Sequence, residues 1–299
     1  MIFFLPSAGL ARLAVPLFAG NGWGEIMKKG KKETIFRVCK LCQRSRKLSR
    51  SHILPRSFYR RVKGADPQIY AITAGPNPTA RQTNGDQIQH LLCEECEGFI
   101  CKTYEDYGTQ LFVDPTQITE NADNVYILRF QYEKYYLFII SIIWRAAVST
   151  LDAFKALHPL ASAEKVLRHC LLRHTLEATS DTDIRLDDFI KITTLRLTDP
   201  TGQIPQDVLD RIMYGLNLER GESIEEGLHF YLVIDGYLIV ISMFPPRSET
   251  AKRWEPRGKL RNRKHLKIPK VPYYELSQIR EGIESIANAR DTNGRHPSL

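Results

Sequence analysis

Two short segments, Cys39-Lys40-Leu41-Cys42 and Cys93-Glu94-Glu95-Cys96, decide the fold, because they hold four of the six cysteines of this 299-residue chain. A gap of two residues lets both thiolates of a pair bind one ion, and Zn²⁺ takes four such ligands in a tetrahedron at about 2.3 Å. Four cysteine ligands leave no open position on the ion. The spacing therefore predicts a structural zinc site on Cys39, Cys42, Cys93 and Cys96.

Paired CxxC segments also occur as disulfides and as thioredoxin-like redox motifs. Disulfides require an oxidising compartment, and nothing after residue 30 looks secreted. A redox motif follows a strand in a βαβ unit, whereas Cys39 lies in the basic run KKETIFRVCKLCQRSRK. Zinc is the favoured interpretation. Cys101 and Cys170 are then ordinary thiols, and Cys101 is not expected to be a fifth ligand.

Positive charge is concentrated in two places. The chain has a net charge of +8, yet residues 28–63 alone hold 14 Lys or Arg against one acid, and residues 247–270 hold 10 against two. Such clustering is typical of a surface that binds a polyanion. In the first region the candidate phosphate contacts are Arg44, Arg46, Lys47, Arg50 and Arg56. The segment 247–270 has a simpler interpretation as a solvated loop, although Trp254 within it could stack on bases.

The first 26 residues are apolar and resemble a signal peptide, but they lack its positive start. Pro6 and Pro16 interrupt the run, which also stops short of the ~20 apolar residues of a membrane span. Back-translated, residues 23–27 read as a ribosome-binding sequence before a start codon. We therefore expect a translated, disordered leader over 1–26, a native start at Met27, a cytoplasmic protein and no membrane partner.

The order of elements predicts an α+β fold with a treble-clef ββα zinc module over 27–114. A knuckle at the first CxxC, a turn-rich hairpin over 64–89 and a helix that begins at the second CxxC and stops near Gly108 give that order. A mixed α+β domain follows over 115–299. Its clearest elements are a buried helix over 132–157 and a hairpin around Asp235-Gly236, the type I′ turn signal.

The stretch from Cys39 to Lys102 reads CxxC, then S-H-I-x-P, then L-L-C-x-x-C-E. This pattern resembles the zinc-stapled HNH, or His-Me finger, endonucleases, whose motifs are CxxC, D-H-I-x-P and L-C-x-x-C-H-x-x-K. The resemblance covers about a quarter of the chain. The whole chain is also similar to uncharacterised bacterial proteins that share these motifs and a later S-x-x-W-R, here Ser141, Trp144 and Arg145.

The resemblance implies a role for two residues. His52 matches the general base of the family, and a neutral imidazole can take a proton from water at pH 7. Glu97 stands where the family has a metal-binding residue, and a carboxylate there suits Mg²⁺ or Mn²⁺. Such an ion would bind the scissile phosphate and stabilise the leaving oxygen.

Three departures from the family pattern weigh against this. Ser51 replaces the acidic metal ligand, the central Asn has no counterpart, and Lys102 is offset. Glu94, Glu105 or Asp106 would then have to supply a second carboxylate, and His52 could equally be a structural histidine beside the zinc site.

Two functions follow as expectations. The first is a metal-dependent HNH-like endonuclease that cleaves nucleic acid, taken as DNA, in phage defence or as a toxin. The second is a non-catalytic zinc module that binds nucleic acid or a partner protein. Ser51 favours the second function, whereas His52, Pro55 and Glu97 favour the first.

Overall fold

A computed structural model describes residues 35–63, 69–72, 80–83, 86–178, 183–221, 223–277 and 279–284. The prediction of a mixed α+β fold is confirmed for this part of the chain. The expected leader, residues 1–26, lies outside the described residues.

The strands are β1 (Phe36–Val38), β2 (Ser45–His52), β3 (Ile69–Ile72), β4 (Ala80–Thr83), β5 (Ile88–Cys93), β6 (Ile118–Glu120), β7 (Asn124–Ile127), β8 (Ile190–Thr198), β9 (Tyr214–Arg220), β10 (Leu228–Ile234), β11 (Tyr237–Met243) and β12 (Leu266–Pro272). The α-helices are α1 (Arg56–Lys63), α2 (Glu94–Ile100), α3 (Asp106–Gly108), α4 (Tyr132–Val148), α5 (Glu164–Arg173), α6 (Leu186–Phe189), α7 (Gln206–Asp210) and α8 (Glu249–Arg253). A π-helical turn, Cys101–Glu105, joins α2 to α3.

Three sheets organise these elements. The cysteine region has a small antiparallel sheet of order β1-β2-β5 and a separate β3-β4 hairpin. The rest of the chain builds a seven-stranded sheet of order β6-β7-β12-β8-β11-β10-β9, whose strands run antiparallel except for the parallel pair β12-β8. Asp235 and Gly236 both have positive φ, at 52° and 73°, which is the type I′ geometry predicted for that turn.

Helix α4 lies at the centre of the molecule. Most of its side chains are buried, including the aromatic Tyr135, Tyr136 and Trp144. The helix ends at Val148 rather than continuing to 157 as predicted. After a break, a 3₁₀ helix spans Asp152–Ser162. On one side Phe138 packs edge to face on Phe58 of α1, with ring centroids 6.1 Å apart.

The cysteine region and the large sheet contribute to one apolar core, a single cluster of packed side chains whose members include Cys39 and Ile268. A bidentate ion pair also joins them, with Arg61 of α1 donating to both carboxylate oxygens of Asp235 at 2.8 and 2.6 Å. The ion pair joins α1 to the β10–β11 turn, and the shared core joins the cysteine region to the large sheet. The expected division into 27–114 and 115–299 stays a prediction.

Candidate metal centre and nucleic-acid interface

The four predicted zinc ligands meet at one point. Their sulfur atoms all lie within 4.8 Å of one another, and the sulfurs of Cys42 and Cys93 are 3.9 Å apart. Tetrahedral Zn–S bonds of about 2.3 Å place sulfurs about 3.8 Å apart, so the arrangement fits a metal ion such as zinc. All six cysteines are free thiols in this structure, which favours a metal site over disulfides.

Local backbone geometry brings each pair of cysteines into position. Gln43, with a positive φ of 61°, turns the chain after the first pair, and its amide donates to the Cys39 carbonyl. The second pair straddles the start of α2, where Cys93 is the N-cap residue. The amide of Cys93 donates to the sulfur of Cys39 at 3.3 Å, which ties the two pairs together.

Two of the four sulfurs, those of Cys93 and Cys96, resist ionisation. Burial and then hydrogen bonding among the cysteines raise the pKa of Cys96 far above its usual range, and burial raises the pKa of Cys93. Burial also opposes ionisation of Cys39, but amide hydrogen bonds from Cys93 and Cys42 outweigh it and lower the pKa of Cys39. A bound cation would stabilise all four thiolates together.

Side chains of β2 alternate between the two faces of the small sheet. A register shift lies between Leu48 and Arg50, where two steps along β2 match three along β5, so the extra residue belongs to β5. Lys47 and the buried Ser51 therefore share one face, whereas the buried Leu48 shares the other with Arg50 and His52. Sequence motifs alone did not reveal this separation of Ser51 from His52.

Exposed apolar side chains of β1 lie on the Lys47 side of the small sheet. Phe36 of β1 lies directly opposite Lys47, and Val38 opposite Ser45, so they project on the same side. Phe36 is 69% exposed and Val38 52% exposed. We call this surface the outward face and define it by Phe36, Val38 and Lys47.

The predicted phosphate contacts divide by position. Lys47 lies on the outward face, Arg50 lies on the other face of β2 with His52, and Arg56 is close enough to His52 to lower its pKa. Lys47, Arg50, Arg56 and Arg44 are exposed, and no ion pair involves them within the described residues. Arg46 alternates to the other face, where its guanidinium lies 3.6 Å from Glu95.

His52 has a carboxylate partner that the motifs did not predict. Its Nε2 lies 3.5 Å from Asp86 Oδ2, and Asp86 also pairs with Lys63 at 2.6 Å. Burial lowers the pKa of His52, and Asp86 only partly opposes that shift. The imidazole is therefore neutral at pH 7. With Nε2–H directed to Asp86, Nδ1 is left as the proton acceptor.

Glu97 lies on the interior side, with Ser51 rather than with His52. The Ser51 hydroxyl donates to Glu97 Oε2 at 2.6 Å and accepts from the Leu92 amide at 3.2 Å. Burial raises the pKa of Glu97, with Ser51 and the charge of Arg145 acting in the other direction. Glu97 is thus already engaged by a neutral donor and a cation.

Arg145 supplies the positive charge of this interior cluster. Its side chain is 1% exposed, and Nη1 lies 2.6 Å from Glu105 Oε1. The same nitrogen donates to the His52 carbonyl at 2.8 Å, and Nε donates to the Ser141 carbonyl at 3.2 Å. Glu105 Oε1 is close to Nη1 but not aligned for a hydrogen bond, and Nη2 is buried with no hydrogen-bond partner among the described residues.

These residues do not fit a hexacoordinate Mg²⁺ or Mn²⁺ as they are placed. Within the described part of the chain, the four cysteines form the one group of three or more metal-binding side chains with ligand atoms this close together. Glu97 accepts a hydrogen bond from Ser51 and Glu105 forms an ion pair with Arg145, while Glu94 is exposed and Asp106 lies beside the Cys101 sulfur at 3.7 Å.

Comparison of the chain with protein-family models, with curated proteins and with solved structures finds no match. Among the described residues, no helix has the length and apolarity needed to cross a bilayer.

Proposed function

We propose that this protein binds nucleic acid, taken as DNA, on the outward face of a zinc-stapled treble-clef module. The single observation that carries the proposal is the composition of that face. There Lys47, which has no ion pair among the described residues, lies directly opposite the exposed aromatic ring of Phe36. Cations neutralise phosphates and an exposed ring can stack on a base, so this combination fits a nucleic acid strand.

Zinc has a structural role in this proposal. Cys39, Cys42, Cys93 and Cys96 would hold one Zn²⁺, which would fix the start of β2 and the start of α2 and so orient the strand that carries Lys47 and Arg50. Reduced thiolates of this kind persist in a reducing compartment, which supports a cytoplasmic location.

Salt-dependent binding tests the proposal. In fluorescence anisotropy with a labelled DNA duplex, we expect Lys47→Gln, Arg50→Gln and Arg56→Gln together to reduce the salt slope by about 2.7, at about 0.9 per phosphate contact. Between 50 and 200 mM salt, the affinity of the triple variant should therefore fall about 40-fold less than that of the wild type.

The matched control removes three exposed cations elsewhere, by Lys155→Gln, Arg173→Gln and Arg211→Gln. It should leave the slope unchanged. Equal slopes in both triple variants would refute the proposal, and would redirect attention to a protein partner for Phe36.

Endonuclease activity is a second candidate, favoured by the pairing of His52 with Asp86. A neutral Nδ1 could take a proton from water as the water oxygen attacks phosphorus. The P–O bond to the leaving oxygen then breaks, and that oxygen takes a proton from solvent water, with Arg56 near His52 to offset charge on the phosphate. A role in phage defence or as a toxin rests on the family resemblance alone.

A plasmid-nicking assay in Mg²⁺ or Mn²⁺ separates the candidates. His52→Ala should abolish cleavage while zinc content and melting temperature stay nearly unchanged, and His90→Ala is the control because His90 lies on the same face opposite Arg50. A His52→Ala protein that still cuts, or wild-type protein that never cuts, would leave binding as the function.

A further inference from the structure

The basic segment of the large sheet forms a groove rather than a solvated loop. Residues 256–267 run beside β6 and β7 and enclose a cleft of about 950 Å³. Six Lys or Arg side chains line this cleft against one acid, Asp123. Two of the six, Lys259 and Arg261, pair with Glu255, which leaves Arg257, Arg263, Lys264 and Lys267 without an ion pair in the described structure.

Main-chain hydrogen bonds hold the groove in shape. The Gly258 carbonyl accepts from the Thr194 amide at 3.0 Å, and the Leu260 amide donates to the Ile192 carbonyl at 2.7 Å. Farther along, the Lys264 carbonyl accepts from the Phe130 amide at 2.9 Å. Gly258 has a φ of +82°, and a Cβ there would lie 2.4 Å from the Thr194 oxygen, so only glycine fits this close approach.

An aromatic ring lies among the cations. Tyr126 of β7 is directly opposite Lys267 of β12 and Thr119 of β6, so these three side chains share one face of the sheet. Val125 and Ile127 alternate to the buried face, which leaves Tyr126 half-exposed in the groove. Trp254, the aromatic residue that the sequence singled out, instead packs on Phe244 and His229 at 5.1 and 5.7 Å.

We infer that this groove is a second nucleic-acid site, which binds a single-stranded segment with its phosphates on Arg263, Lys264 and Lys267 and a base on Tyr126. A fixed cationic channel with an aromatic ring inside it is the arrangement that single-strand binding uses. The inference goes beyond the outward face of the zinc module and does not depend on it.

Anisotropy with a labelled 20-nucleotide single strand tests the groove. The groove variant, with Arg263→Gln, Lys264→Gln and Lys267→Gln, should lower the salt slope by about 2, at about 0.7 per phosphate for single strands. Affinity should then fall about 18-fold less than for wild type between 50 and 200 mM salt. The control triple Lys155→Gln, Arg173→Gln, Arg211→Gln should behave as wild type.

A second substitution tests the aromatic contact. Tyr126→Ala should weaken binding of the single strand about 5-fold or more, since one base stack contributes ~1–3 kcal/mol, and should leave binding of heparin, which has no bases, unchanged. Groove and control triples with equal slopes, in proteins of equal melting temperature, would overturn the site. A Tyr126→Ala protein that keeps full affinity for DNA would overturn base stacking and leave a general polyanion surface.

These outcomes are independent of the zinc module. If the groove variant leaves the salt slope of single-strand binding unchanged, while the Lys47, Arg50 and Arg56 variant still lowers the slope of duplex binding, only the second site is refuted. The reverse pattern refutes only the outward face.

Discussion

The buried guanidinium of Arg145 gives the sharpest prediction about stability. Arg145→Met removes the ion pair with Glu105 and the donors to the carbonyls of His52 and Ser141, all from a side chain that is 1% exposed. Breaking a buried pair typically costs about 3–5 kcal/mol. Glu105 is 17% exposed and can regain some hydration, so we expect about 3 kcal/mol, or more than a hundredfold in the folded-to-unfolded ratio.

Urea unfolding at fixed free zinc measures this cost, since bound ligand shifts apparent stability. Arg145→Lys should recover part of the loss, because an ammonium keeps the charge but cannot reach three acceptors with one planar fork. The exposed Arg211→Met is the control and should change stability by less than about 0.5 kcal/mol. A loss below about 1 kcal/mol for Arg145→Met would refute the view that Arg145 neutralises the interior acids.

Three further predictions concern the metal site, pH and packing. Cys96→Ser should lower bound zinc and the melting temperature, whereas the exposed Cys101→Ser should change neither, as metal analysis and calorimetry would show; equal zinc in both proteins would contradict the site. Burial lowers the pKa of His229, so the unfolded chain takes up its proton first and stability should fall as pH drops below about 6.5. His229→Gln should flatten that part of a melting curve against pH, and an unchanged curve would count against the assignment. Gly108→Ala should destabilise the protein by about 1–3 kcal/mol in urea unfolding, because a Cβ would lie 2.2 Å from the Phe138 ring. A variant as stable as the wild type would show that the two helices can separate there.

The sequence was most informative where chemistry fixes spacing. Four cysteines in two CxxC pairs predicted their own cluster, because one small ion has to reach all of them. The Asp235-Gly236 turn was predictable because few residues accept two successive positive φ angles. Gly108 was also placed correctly, at the end of α3.

The geometry around His52 was not predictable from motifs. A register shift between β2 and β5, with its extra residue on β5, decides which β5 side chains lie opposite His52, and no local pattern marks that shift. Asp86 reaches His52 through a connection of more than thirty residues, and Arg145 comes from a helix almost a hundred residues away. Helix α4 ended earlier than its apolar pattern predicted, because Ser149 adopts an extended backbone at its C-cap.

Photo-cross-linking to bromodeoxyuridine-substituted DNA, read by mass spectrometry, tests the central claim most directly. Phe36, 69% exposed beside Lys47, should carry a nucleotide adduct that disappears in 0.5 M salt. Phe36→Leu should remove that adduct while overall folding and zinc content are kept. Adducts confined to residues outside 36–56, with Phe36 unmodified at saturating DNA, would contradict the claim that the outward face of the zinc module holds the nucleic acid.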